Sequence, residues 1–172
     1  GFSFDDACEV VNRLEALGVD VVELSGGSYE APAMQGQTRD DTTLAREAYF
    51  LEFAQALVSK TDIPLMTTGG IKRAEVAEEV IEQGCALVGL ASALAITPDL
   101  AKKWQQEWAY SGIIPHCSWK DKSLASLANM AMVRRQLRRL GNNLTTLRNP
   151  SPLWSLILDM LHRKKMTKRD VG

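Results

Sequence analysis

Two short apolar runs, each emptying into glycine, constrain this chain more than any other feature, Pro64-Leu65-Met66-Thr67-Thr68-Gly69-Gly70-Ile71 and Ala86-Leu87-Val88-Gly89-Leu90-Ala91-Ser92, and a β-branched run, Val19 to Leu24, lies before them between Gly18 and Gly26. Their length and their glycine boundaries predict strands over residues 19–24, 63–67 and 86–90. Helical patterns alternate with them. Ser3 offers an N-cap hydroxyl with Asp6 three residues on, and Ala7, Val10, Val11, Leu14 and Leu17 then recur at helical spacing up to Gly18. Ala45, Tyr49, Phe53, Ala54 and Leu57 fall along one side of a second helix, with Tyr49 and Phe53 expected in the core. Val76, Val80 and Ile81 should face inward from a third, which Gly84 ends.

Strand, helix, strand with short connections is the signature of right-handed βαβ units and a parallel sheet. After Pro98 the pattern turns wholly helical. One helix runs from Pro98-Asp99-Leu100 toward Trp104 and Trp108. A long one covers 123–140, with Leu124, Leu127, Ala128, Ala131 and Leu137 as its apolar side and Gly141 as its stop. The last opens at Pro150-Ser151-Pro152, carries Leu153, Trp154, Leu156, Ile157 and Leu161, and ends in His162-Arg163-Lys164-Lys165.

Three parallel strands leave open edges and too little surface for the helices. The sheet is therefore expected either to be the last three strands of an eight-stranded (β/α)₈ barrel or to be an open sheet completed by another subunit. On the first alternative, residues 1–110 are the final βα units and 111–172 a basic helical extension packed on them. Gly1-Phe2-Ser3-Phe4 reads as the exit of a strand not in the chain, so a missing N-terminal half is expected, or else a homo-oligomer.

At 172 residues and 45% hydrophobic, the chain can bury one ordinary core. Its net charge of −1 selects no partner, but from Lys120 onward twelve Lys/Arg face three Asp/Glu. Cys8, Cys85 and Cys117 form no disulfide framework and no metal-ligand spacing, which suits a reducing, cytoplasmic setting. No stretch approaches the ~20 apolar residues of a membrane span, and neither membrane nor nucleic acid is expected as a partner.

Glycine at a strand exit lets backbone N–H groups approach an anion, and the loops after the seventh and eighth strands of a barrel are common phosphate sites. Thr68, Gly69, Gly70, Gly89, Leu90, Ala91 and Ser92 are accordingly the candidate phosphate-binding residues. The loop Ser25-Gly26-Gly27-Ser28-Tyr29-Glu30 also leaves the C-terminal end of a strand, where barrel sites lie, and places Tyr29 as a candidate on the substrate side.

Several blocks in this order resemble the C-terminal half of Old Yellow Enzyme-like NADH:flavin oxidoreductases: Gly18-Val19-Asp20-Val21-Val22-Glu23-Leu24-Ser25-Gly26-Gly27-Ser28-Tyr29-Glu30, Arg46-Glu47-Ala48-Tyr49-Phe50-Leu51-Glu52-Phe53-Ala54, and residues 64–71. Ser123-Leu124-Ala125-Ser126-Leu127-Ala128 and Gln136-Leu137-Arg138-Arg139-Leu140-Gly141 are similar to the helical tail of some bacterial and fungal members. The resemblance implies an FMN-binding barrel in which NAD(P)H reduces the flavin and hydride passes to an electron-poor alkene. It also places the FMN phosphate against the two glycine turns. Where the family usually has glycine then arginine after the eighth strand, this chain has Ala91 and Ser92, and one hydroxyl replaces a bidentate clamp. The family's catalytic residues come from upstream strands, so no catalytic residue is assigned; His116 and His162 lie outside the barrel pattern. Turnover by this chain alone is not expected.

The remaining features have structural readings. Cys85 should be an inert buried thiol, and Arg134, Arg135, Arg138 and Arg139 a solvated helix face. The stripe of the last helix should pack against the barrel flank or a second subunit. Two other classes stand beside the oxidoreductase: a non-catalytic remnant that keeps the phosphate turns, and a surface-binding protein using the basic tail.

Overall fold

The computed structural model describes residues 3–25 and 51–169. Tyr29, the 26–30 loop, and Ala45 and Tyr49 of the second helix lie outside the described residues. The described chain is α/β: three parallel strands in the order β1-β2-β3, with seven helices. It divides into two compact units, one of residues 1–91 and 101–111, the other of 92–100 and 112–172.

In the first unit, α1 spans Phe4–Ala16 and begins in a reciprocal cap. Asp6 N donates to Ser3 Oγ at 3.2 Å and Ser3 N donates to Asp6 Oδ2 at 2.7 Å. Those bonds hold the Asp6 carboxyl below its ordinary range. The strands β1 (Val22–Leu24), β2 (Leu65–Thr67) and β3 (Leu87–Val88) are shorter than the apolar runs that predict them. Pairing begins only where Val22 N donates to Pro64 O at 3.0 Å, and Val19 and Val21 lie before it, exposed.

The register aligns Glu23 with Met66 and Met66 with Leu87 on one face, and Leu24 with Thr67 and Thr67 with Val88 on the other. Among the described residues the second face carries the core: Leu24 and Leu65 join Val11, Ala54, Leu57, Val76 and Val80 in one apolar cluster. On the first face Glu23 is exposed, Met66 half-buried and Leu87 45% exposed. The helices α2 (Leu51–Val58) and α3 (Ala74–Glu82) supply Leu57, Val76 and Val80 as expected. Phe53 and Ile81 do not follow the expectation. Phe53 stays exposed with its ring edge-on to Phe4 at 5.4 Å, and Ile81 is also exposed, because each sits at the margin of a helix face whose centre is already filled. The helix α5 (Leu100–Gln106) stops before Trp108, which is exposed.

The second unit holds α4 (Ser92–Ile96), α6 (Lys122–Gly141) and α7 (Pro152–Arg169), so the last helix continues past Lys165. Asp121 caps α6, accepting from Leu124 N at 2.9 Å. Beyond its end, the left-handed residue is Asn143, at φ 55, and Gly141 is the final helical residue instead of the stop. The buried face of α6 is Ala125, Ala128, Ala131, Met132 and Gln136, while Leu124, Leu127 and Leu137 are exposed. Small residues let neighbouring helices approach closely, and the leucines, a few residues round the helix, are left outside.

Polar groups then close the second unit. Gln136 is fully buried and engages one peptide group with both ends of its amide: Nε2 donates to Leu147 O at 3.1 Å, and Leu147 N donates to Oε1 at 2.8 Å. Asp159, on α7 and 4% exposed in its side chain, accepts from Arg134 and Arg138 at 2.8–3.1 Å. Burial pushes its carboxyl up, but the hydrogen bonds and charges of the two guanidiniums outweigh that and leave it below the ordinary range. Arg135 Nη1 donates to Ser155 Oγ at 3.3 Å and Arg139 Nε to Thr145 O at 2.7 Å. The arginine run is thus half-buried and bonded, not a solvated face.

Candidate functional site

The candidate site lies at the C-terminal end of β2 and β3. Thr68 Oγ1 donates to Gly89 O at 3.1 Å, and Gly89 N donates to Thr67 O at 2.8 Å, so the two strand exits are fastened to each other. They approach closely enough to require glycine. A Cβ on Gly89 would fall 2.9 Å from Thr68 Cβ. Past Thr68 the chain turns through Gly69 at φ 125 and Gly70 at φ 70, conformations that disfavour any side chain.

The turn delivers the chain to α3. Ile71, 2% exposed, anchors its far side in the core, and Lys72 and Arg73 follow. Arg73 is the N-cap residue and gives α3 no side-chain cap, and its Nη1 lies 3.6 Å from Glu75 Oε2. A two-glycine turn leading into a helix start presents backbone donors and the positive end of the helix dipole on one side. An anion, rather than a cation or an apolar group, suits that arrangement.

Thr68, Gly69, Gly70, Gly89 and Leu90 are all half-buried here, and Ala91 is exposed. Ser92 is the first residue of α4 and falls in the second unit. Sequence reasoning missed one residue. Thr67 is fully buried, and its Oγ1 has no hydrogen-bond partner among the described residues, an uncommon and costly condition. The unmatched polar atom is therefore one residue before the Thr68-Gly69-Gly70 turn. The only sequence signal was a threonine closing an apolar strand. The residues present fit a phosphate: a turn of two positive-φ glycines, a helix start, and an unmatched hydroxyl at the same strand end. Cys85 is buried beside this sheet, and burial pushes its thiol up, away from the reactive thiolate. No group of three or more His, Cys, Asp or Glu placed to hold a metal occurs among the described residues.

No family model matches the chain. Curated relatives do. An NADH-dependent flavin oxidoreductase of Hypocrea jecorina is 36% identical over 103 residues, 56% of this chain and 26% of that protein. Another of the same description, from Neonectria sp., is 38% identical over 106 residues, 56% of this chain and 14% of that protein. Over about half its length the chain is similar to NADH-dependent flavin oxidoreductases. A further relative, the 4,4'-dithiodibutanoate disulfide reductase of Rhodococcus erythropolis, is 31% identical along 82% of this chain, which is 43% of the reductase. The chain thus spans between about a seventh and less than half of these relatives' lengths.

Proposed function

We propose that this chain forms the flavin-phosphate end of an NAD(P)H:flavin oxidoreductase built on a (β/α)₈ barrel. Thr68, Gly69, Gly70, Gly89, Leu90 and Ala91 hold the phosphate of FMN in this reading. The observation that carries it is the fastened pair of strand exits, where Gly89 must lack a Cβ and Gly69 and Gly70 must take positive φ. The chemistry supplied by a bound flavin is hydride transfer, from NAD(P)H to an electron-poor alkene conjugated to a carbonyl. This chain's own share is binding: the turn orients backbone donors on the phosphate, and Ile71 fixes the turn against the core. Flavin binding without turnover is the behaviour expected of the chain assayed by itself.

Titration of the chain with FMN and with riboflavin, followed by flavin fluorescence, tests the proposal. FMN should bind at least about tenfold more tightly than riboflavin, a difference of about 1.4 kcal/mol assigned to the phosphate, and Gly70→Val should remove that preference. Equal affinity for the two flavins, or a preference that survives Gly70→Val, would sink it.

A second acceptor class is favoured by one observation. The Rhodococcus disulfide reductase is matched along 82% of this chain, whereas the two fungal relatives are matched along 56% of it. An organic disulfide therefore stands beside the activated alkene as acceptor. NADH oxidation in the presence of either acceptor, with the chain in its natural polypeptide, distinguishes them.

A further inference from the structure

The last helix is turned against the pattern of its own sequence. Ser155 and Asp159 are buried, while Leu153, Trp154, Ile157, Met160 and Leu161 are 58%, 51%, 36%, 63% and 59% exposed. At about 100° per residue these five fall in an arc of about 120°, opposite Ser155 and Asp159. Inward, the clamp of Arg134 and Arg138 on Asp159 fixes that rotation. Lys164 lies in the same arc one turn after Met160, and Lys165 borders it; both are exposed. The outward side of α7 is therefore apolar for its first turns and cationic after them. Five large apolar residues grouped in this way exceed the scattered hydrophobics of an ordinary surface.

What covers this side must offer apolar contact and negative charge together. A second copy pairing α7 with α7 offers only the first. The unit made of residues 92–100 and 112–172 carries twelve Lys/Arg against four acids, Asp99, Asp121, Asp159 and Asp170, and Asp159 is already engaged. An anionic bilayer surface offers both, since the acyl boundary takes Leu, Trp and Met while the headgroups take the lysines. A single convex helix needs no groove for it.

We propose that α7 is an interfacial helix by which the protein attaches to anionic lipid surfaces, with Leu153, Trp154, Ile157, Met160 and Leu161 entering the headgroup boundary. It lies on the surface; no helix among the described residues is long and apolar enough to cross a membrane.

Co-sedimentation of the whole chain with vesicles of phosphatidylcholine, and of phosphatidylcholine with about 30% phosphatidylserine, tests this. Binding is expected to the anionic vesicles only, to fall with salt, and to weaken at least about tenfold in Lys164→Glu/Lys165→Glu. Ile157→Ser/Leu161→Ser should abolish it while leaving the thermal melt intact, as both residues are exposed. Should that variant fail to fold, Met160→Glu carries the same test at the most exposed position. Absence of binding at low salt, or equal binding to neutral vesicles, overturns the proposal. So does a dimer that vesicles leave intact and the serine variant dissolves.

Discussion

At the scale of the residue, Gly89 and Asp159 carry the sharpest consequences. Gly89→Ala puts a methyl 2.9 Å from Thr68 Cβ, on a residue whose hydroxyl is tied to Gly89 O, so the strand exits must separate. A loss of about 1–3 kcal/mol is expected by chemical denaturation, with flavin affinity falling alongside. Asp159→Asn removes the charge that two guanidiniums face, and those guanidiniums keep 32% and 29% of their side-chain exposure. Water relieves part of the penalty, so about 2–3 kcal/mol is expected, at the low end for breaking a buried pair. The same pair sets a pH dependence. The folded carboxyl is held below its ordinary value, so its contribution is complete above the unfolded value of about 3.9 and disappears as pH falls through the folded one. Acid titration of the wild type should show this loss, and Asp159→Asn should flatten it.

Elements show why the helices were easier to find than their faces. Six of the seven described helices were placed from caps and periodicity, as with Ser3 and Asp6 on α1, because these are local, while α4 was not anticipated. Which side turned inward was not local. On α6 the alanines and Gln136 are buried and three leucines are not, since close approach of helices and the demand of one backbone segment outweighed hydrophobic area. Gln136→Leu tests that balance. It fits the helix and adds apolar surface, yet it strands the N–H and C=O of Leu147, and about 2–4 kcal/mol of destabilisation is expected in place of a gain. The arginine run misled for the same reason: nothing in its spacing announced that Asp159, more than twenty residues later, would lie against it.

For the whole molecule, a ligand that binds only the folded chain must stabilise it. FMN at a hundredfold excess over its dissociation constant should add about 2.7 kcal/mol to the stability of the first unit, seen as a raised melting midpoint, and riboflavin should add less. An unchanged midpoint with FMN would contradict the phosphate site.

The backbone of the candidate turns was legible in the chain, because a glycine required by positive φ or close approach is written into the sequence at that position; Gly69, Gly70 and Gly89 were readable for that reason. The parallel pairing of the strands followed from their alternation with helices and the short connections. Tertiary structure alone decided the rest. Pairing limits cut β3 to Leu87–Val88, and one-sided packing among the described residues left Glu23 and Leu87 exposed and Met66 half-buried on the other side of the sheet. It left the Thr67 Oγ1 buried with no partner among the described residues, and it rotated α7 so that an aspartate and a serine went in and a tryptophan came out. Those outcomes depend on which distant groups meet, and spacing along one chain records only which residues are near in sequence.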